Sequence, residues 1–252
     1  MIFEQVSIAS VRHHDAPHRI TSADLDKQLQ PTLDRLGIEP GLLESVAGIK
    51  ARRFWDPGVE PSEVATVAAE RAIEEAGINR DRIGIVINTS VCRDFIEPSV
   101  ACLVHGNLQL GEHCVNFDVG NACLGFLNGM DIIGNMIERR EVEYGLIVNG
   151  EGSRFITETT IERLLQEACD ERMYREQFAA LTLGSGAVAM VLAHSDLVPD
   201  GPRYLGGVKV AATQHNRLCL GQRDQMWTHT RKLLHAGLEV STKAWALGQK
   251  YL

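Results

Sequence analysis

The segment VNFDVGNACLGFLNGMDIIGNMIERR, residues 115–140, changes character part-way along. Residues 115–119 read as a short buried strand, Gly120-Asn121 as a tight turn, and residues 123–139 as a helix. The helix is apolar on nearly every face (Leu124, Phe126, Leu127, Met130, Ile133, Ile137), so it is expected inside the protein. Cys123 stands where strand turns into helix. The first N–H groups of a helix have no internal partner, and the aligned peptide dipoles add partial positive charge there. A thiol in such a place is pushed toward its nucleophilic thiolate form, and the same N–H groups can steady an acyl oxygen. The plain alternative is that Cys123 is a small buried hydrophobe, the common fate of a free cysteine.

Outward from this segment the chain alternates strand and helix. Residues 2–12 alternate in the strand manner. Residues 21–37 open with a Thr/Ser cap and close at a Gly, with Pro31 expected to break the helix in two. PSEVATVAAERAIEEAG, 61–77, is a strong helix with an early Pro and a closing Gly. RIGIVINTS, 82–90, is a strand buried on both faces. A helix at 98–108, strands at 144–150, 180–193 and 203–212, and helices at 157–168 and 232–252 complete the pattern. This is the order of βαβ units, and it predicts an α/β fold with a mostly parallel sheet covered by helices on both sides.

Composition narrows the function classes. The 252 residues are 44% apolar and 23% charged, as in a globular chain, and the formal charge is −8. That balance argues against a nucleic-acid groove, which needs a basic stripe, and against an anionic membrane surface. No segment approaches the ~18 apolar residues of a membrane span, and no secretory leader is visible. The six cysteines (92, 102, 114, 123, 169 and 219) form no CxxC pair and read as reduced thiols in a cytoplasmic setting. No metal-ligand spacing occurs; His13, His14 and His18 read as a polar N-terminal loop.

FDVGNACLGFLNGMD resembles the nucleophile segment of the thiolase-superfamily condensing enzymes, in which a Cys at the start of a buried central helix takes up an acyl group as a thioester. VAGIKARR, 46–53, resembles the TGI-xx-R element of the ketoacyl synthase III group, and LTLGSGAVAMVL, 181–192, the glycine-turned strand pair that closes the N-terminal half. NTSVCRDFIEPSVA, 88–101, resembles the loop that crosses the dimer axis into the partner's active site. The resemblance covers essentially the whole chain. It implies a layered α-β-α-β-α fold, a homodimer, and Cys123 as nucleophile.

Three departures from the ketoacyl synthase III pattern point to a narrower relative, the OleA type, which joins two long fatty acyl-CoA molecules head to head in the first step of long-chain olefin synthesis. Glu97 replaces an aromatic in the dimer-crossing loop, Leu42 and Val46 stand where a Trp and an Arg help hold coenzyme A, and the glycine turn is Gly184-Ser185-Gly186. INTSV-x-RD-xx-EPS, NACL-x-F-x-NGMD, AALTLG-x-GA and SDLVPD resemble that type closely. The resemblance implies an acyltransferase that performs a non-decarboxylative Claisen condensation to a 2-alkyl-3-ketoacid. Such a reaction must remove a proton from the α-carbon of an acyl thioester. A carboxylate lent by the partner subunit into an apolar pocket, here Glu97, suits that task, because desolvation strengthens a carboxylate base. The plain alternative for Glu97 is a surface carboxylate before a Pro. Arg52 and Arg53 are candidates to meet coenzyme A phosphates, or else a solvated pair. No cofactor and no metal are expected beyond coenzyme A thioesters as substrates. The expected partners are fatty acyl-CoA, a second copy of the chain and the later enzymes of the olefin pathway.

The family's later His and Asn, which line the oxyanion site, have no match here; His194, His215, His229 and His235 lie in unrelated segments. The expectation is therefore an N-terminal thiolase-like half at 1–195 and a C-terminally truncated second half at 196–252, with apolar surface exposed on the last helix. Two other readings stand beside the OleA type: a malonyl-using ketoacyl synthase III, and a non-catalytic remnant that only dimerises or binds acyl chains.

Overall fold

The computed structural model describes residues 2–251. They form two compact units, one of residues 2–16, 55–152 and 186–206, the other of residues 17–54, 153–185 and 207–251. Within the first unit the N-terminal strand and the segment after residue 195 lie side by side: Tyr204 donates its N–H to the Val6 carbonyl at 2.9 Å.

The first unit is built on a five-stranded sheet of β1 (Val6–Asp15), β4 (Ile83–Asn88), β5 (Val115–Asp118), β6 (Tyr144–Glu151) and β7 (Gly186–His194). Their order is β1-β7-β6-β4-β5. β4 runs parallel to β5 and β6, whereas β7 is antiparallel to β6 and to β1, so the sheet is mixed rather than mostly parallel. Its helices are α3 (Pro61–Ala76), α4 (Val100–Asn107) and α5 (Gly125–Glu138). One face packs against α3, whose Ala65, Ala68, Ala69 and Ala72 make a fully buried stripe at helical spacing under Val86, Leu146, Val148 and Val191. The small side chains let helix and sheet lie close. The other face packs Ile85, Ile87, Ile147 and Leu192 against Ile133 and Ile137 of α5. Ile85 and Ile87 thus face one layer and Val86 the other, as the two-residue period of a strand requires. Midway along α5, Tyr204 donates its hydroxyl to the buried Asp131 at 2.7 Å.

Two expectations on the 115–140 segment change. β5 is an edge strand with β4 as its single neighbour, so Val115 is half exposed rather than buried. The helix is buried only over its later turns, and Leu124 and Leu127 at its mouth are exposed. The expected strand at 203–212 is not formed; this stretch makes only isolated bridges from Arg203 to Ser7 and from Gly206 to Ile2. His13 and His14 lie in β1, not in a loop.

The second unit comprises β2 (His18–Thr21), α1 (Ser22–Leu36), α2 (Leu42–Ala47), β3 (Ala51–Phe54), α6 (Arg154–Leu164), α7 (Glu171–Gln177), β8 (Cys219–Gly221), β9 (Met226–Thr228) and α8 (Thr230–Tyr251). β2 pairs antiparallel with β3, and β8 with β9. α7 and the β8–β9 pair had no sequence expectation. Leu25, Leu29, Leu33, Leu43, Leu164 and Tyr174 form its core. Pro31 does not break α1. It sits on the exposed face, so the carbonyl it leaves unpaired is open to water, while Leu25, Leu29 and Leu33 hold both halves of the helix against one core. Thr21 and Asp24 form a capping box at its start, and Gly37 closes it in the left-handed conformation. On α8, Leu234, Leu238 and Trp245 are exposed.

Candidate active site

Parallel strands carry their C-terminal ends to one edge of the sheet, where open α/β sheets place their chemistry. Asn88, Asp118 and Glu151 are the last residues of β4, β5 and β6. The edge is stiff. Thr89 donates its N–H to the carbonyl of Val148 at 2.9 Å, Val119 donates to that of Asn88 at 2.8 Å, and Gly150 donates to Ser90 Oγ at 2.8 Å.

Cys123 is displayed on this edge. After β5 the chain turns through Gly120 and Asn121 into a short 3₁₀ turn, Ala122–Leu124, and α5 begins at Gly125. Ala122 is held at φ 42°, a left-handed conformation costly for a residue with a side chain, by about 1–3 kcal/mol. Its rigid surroundings hold the strained backbone, and the strain aims the next residue outward: Cys123 is exposed. Gly125 is required by packing. A Cβ there would stand 3.1 Å from the Thr89 carbonyl oxygen and 3.2 Å from that of Val119. A larger residue would push the start of α5, and Cys123 with it, off the strand ends. Asn121 Nδ2 donates to Asn128 Oδ1 at 2.6 Å across the mouth. The exposed Leu124 and Leu127 flank the thiol with apolar surface. The buried-hydrophobe alternative for Cys123 therefore does not hold.

Glu97 lies in the irregular segment between β4 and α4, with a cis peptide bond to Pro98. It is exposed, as are Phe95 at 57% and Ile96 at 90%. A carboxylate beside two large apolar side chains in the open is unusual for a free surface. No hydrogen bond joins Glu97 to Cys123 among the described residues.

Arg52 and Arg53 lie in the second unit, adjacent on β3 and on opposite faces of the strand. Arg53 is exposed, but Arg52 is only 5% exposed, so they are not a solvated pair. Arg52 Nη2 donates to Ser22 Oγ at 3.1 Å, while Nε and Nη1 are buried without a partner. Burial pulls its pKa below the ordinary value, against the opposing pull of Asp26. A Cβ on Gly184 would come 3.2 Å from Arg52 Cβ, and Ser185 receives the Ser153 N–H at 3.0 Å and donates its own to the Arg53 carbonyl at 2.8 Å. The Gly-Ser form of this turn thus ties residue 153 to β3. Among the described residues, no group of three or more His, Cys, Asp or Glu could hold a metal ion, and no helix is long and apolar enough to cross a membrane.

The sequence reading missed three carboxylates. Glu151 and Asp118 each accept two backbone N–H bonds from the residues flanking the Glu97 segment, and Asp94, within it, accepts two hydrogen bonds from Ser62. It also missed the strain at Ala122.

No family model matches the chain. It is 50% identical over 252 residues to the acyl-CoA:acyl-CoA alkyltransferase of Xanthomonas campestris pv. campestris, covering 100% of this chain and 75% of that protein. To the acyl-CoA:acyl-CoA alkyltransferase of Shewanella oneidensis it is 34% identical over 257 residues, covering 97% of this chain and 73% of that protein. Among solved structures, cerulenin-bound OleA of X. campestris superposes with a TM-score of 0.97 at 50% identity, over 99% of this chain and 73% of that one. A cysteine-to-serine OleA with bound lauric acid and lauroyl-CoA superposes equally well, at 0.97 and 50%, over 99% and 74% of the two chains. The expected α/β fold is the one these structures share. Other variants of that enzyme are substituted at a glutamate and at a histidine. The glutamate and the cysteine substituted there are separated by the same number of residues as Glu97 and Cys123. The histidine lies further beyond the cysteine than residue 252 lies beyond Cys123.

Proposed function

The chain belongs to the acyl-CoA:acyl-CoA alkyltransferase family, the OleA enzymes, and on that premise we propose that it condenses two long-chain fatty acyl-CoA molecules without decarboxylation. The observation that carries the reading is the display of Cys123 at the strained mouth of α5, on the edge where the parallel strands end. The Cys123 sulfur attacks the first thioester carbonyl, and the coenzyme A thiolate leaves. A second acyl-CoA enters, and Glu97 of the partner subunit takes a proton from its α-carbon. The carbanion attacks the Cys123 thioester; a carbon–carbon bond forms and the bond to sulfur breaks. The product is a β-keto thioester, whose hydrolysis gives a 2-alkyl-3-ketoacid. This is the entry to long-chain olefin synthesis, and later enzymes of that pathway consume the product.

The same reading makes the protein a homodimer. Its support is the open edge of β5, half-exposed Val115, and the apolar tip Phe95-Ile96 beside Glu97, which suits insertion into an apolar cavity of a second copy. Arg53 is the exposed arginine of β3 and the candidate to meet a coenzyme A phosphate; Arg52 acts behind it, buried against Ser22. Coenzyme A thioesters are the substrates, and no further cofactor enters the proposed steps. A cytoplasmic location suits six free cysteines.

Intact-protein mass spectrometry of the natively expressed protein after incubation with lauroyl-CoA, beside a Cys123→Ala control, tests this function. The expected result is one acyl group on the parent, none on the control, and release of the branched ketoacid with no carbon dioxide. An adduct that persists in Cys123→Ala, or turnover that requires a malonyl donor, would overturn it.

A further inference from the structure

The tip that carries Glu97 is short because the segment on either side is tied down by carboxylates. At its start, Glu151 at the end of β6 uses both oxygens: Val91 N–H donates to Oε1 at 2.7 Å and Cys92 N–H to Oε2 at 3.2 Å. Mid-segment, Asp94 reaches the first turn of α3, where the Ser62 N–H donates to Oδ1 at 3.0 Å and the Ser62 hydroxyl to Oδ2. At its end, Asp118 at the tip of β5 takes the N–H groups of Val100 at 3.1 Å and Ala101 at 2.9 Å. Residues 95–98 remain free of these ties.

The anchors are rigid. Glu151 is the last residue of a strand with neighbours on both sides, and its carbonyl receives the Trp55 indole N–H at 3.0 Å. Ser62 sits on a helix start seated directly on the sheet. Hydrogen bonds to an ionised carboxylate are shorter and roughly twice as strong as neutral ones. Backbone N–H groups held in this way leave the intervening chain few conformations. Phe95, Ile96 and Glu97, between these anchors, are all exposed.

We propose that Glu151 and Asp94 are positioning residues, which set the reach and direction of the tip that delivers the Glu97 carboxylate. The inference rests on the reading of Glu97 as the base lent to the partner subunit. It goes beyond that reading by naming what makes the base effective: a carboxylate grip on three backbone N–H groups and one hydroxyl. Asp118 is set apart, because it also closes the start of α4 and serves the fold of the sheet edge. A misplacement of about 1 Å at a reacting group costs about 100-fold in rate. Loss of either grip therefore lowers condensation, while formation of the Cys123 thioester, which needs no contribution from the tip, proceeds.

The substitutions separate the grip from general stability. Glu151→Gln keeps one acceptor and places an amide N–H against a backbone N–H. Asp94→Asn keeps an acceptor for the Ser62 N–H and offers a donor to the Ser62 hydroxyl, so it restores most of the grip that Asp94→Ala removes. In the full-length natively expressed protein, Glu151→Gln and Asp94→Ala are each expected to lower condensation of lauroyl-CoA at least tenfold. Acylation of Cys123 stays within twofold of the parent, and Asp94→Asn within threefold of the parent in both steps. Equal falls in acylation and condensation would mean a merely structural role and would overturn the proposal.

A second measurement does not depend on turnover. In Glu97→Cys, a short bismaleimide links the new thiol to Cys123 of the partner subunit, mapped by peptide mass. Adding Glu151→Gln or Asp94→Ala is expected to slow that link at least tenfold. An unchanged linking rate refutes the positioning role and leaves the shared-site reading intact. No link in Glu97→Cys itself refutes the shared site, and the inference with it.

Discussion

Gly150→Ala is the sharpest test of how the first unit is packed. Gly150 is fully enclosed in β6, one residue before Glu151. An added Cβ would overlap the carbonyl oxygen of Pro61 far inside van der Waals contact, and would lie 3.1 Å from both the Pro61 carbonyl carbon and Val64 Cγ2. The oxygen belongs to backbone at the start of α3, so no rotamer change relieves the overlap. Helix and strand must part by about 1 Å, which loosens the close alanine packing along α3. Overpacking of this kind costs about 3 kcal/mol. For a chain of this size each kcal/mol lowers the melting temperature by about 2–4 °C, so the expected fall is about 6–12 °C. Thermal unfolding followed by circular dichroism reads it directly. Gly106→Ala is the matched control: it lies in α4, and its Cβ would meet nothing within 4 Å. It is expected to be neutral or to stabilise by up to about 1 kcal/mol, because a helical glycine carries an entropic penalty relative to alanine. A Gly150→Ala melting temperature within about 2 °C of the parent would refute the claim that α3 is seated on β6 through that glycine.

Two other perturbations follow from the same reasoning. Pro31→Ala restores an N–H donor on the solvent face of α1 and should stabilise the second unit by about 1–3 kcal/mol; a lower urea midpoint would show that Pro31 contributes packing instead. Iodoacetamide labelling mapped by peptide mass should divide the thiols by environment. Burial, with the Glu151 charge beside it, pushes the Cys92 thiol up to about 12, and burial pushes Cys114 up to about 11. A raised thiol pKa favours the protonated, unreactive form, so at pH 8 Cys92 holds about 1,000-fold less thiolate than a cysteine of pKa 9.0. Its labelling should rise tenfold per pH unit up to about 12, whereas the exposed Cys102, Cys123 and Cys219 label first. Rapid labelling of Cys92 at pH 8 would contradict the placement of Glu151 against residues 91 and 92.

The local pattern of the chain was enough to determine much of this protein. The alanine stripe of α3, the unbroken apolar run of β4 and the strand-turn-helix at 115–140 are short-range signals, carried by residues within a few positions of one another. They placed Cys123 at the mouth of α5, and the quoted motifs placed Glu97 in its loop. Tertiary structure decided the rest, because it depends on what lies opposite. Periodicity marks an apolar face but does not say whether a neighbour covers it; β5 is an edge strand and Leu124 and Leu127 are open for that reason. Pro31 reads as a break until both halves of α1 are seen to share one core. The inward turn of Arg52 and the outward turn of Arg53 follow from the face of β3 that meets Ser22. The grip on the Glu97 loop joins Glu151 to Val91 and Cys92, and Asp94 to Ser62. These partners are far apart in the chain, so no local spacing announces them, and only the folded sheet edge brings a carboxylate to the N–H groups it holds.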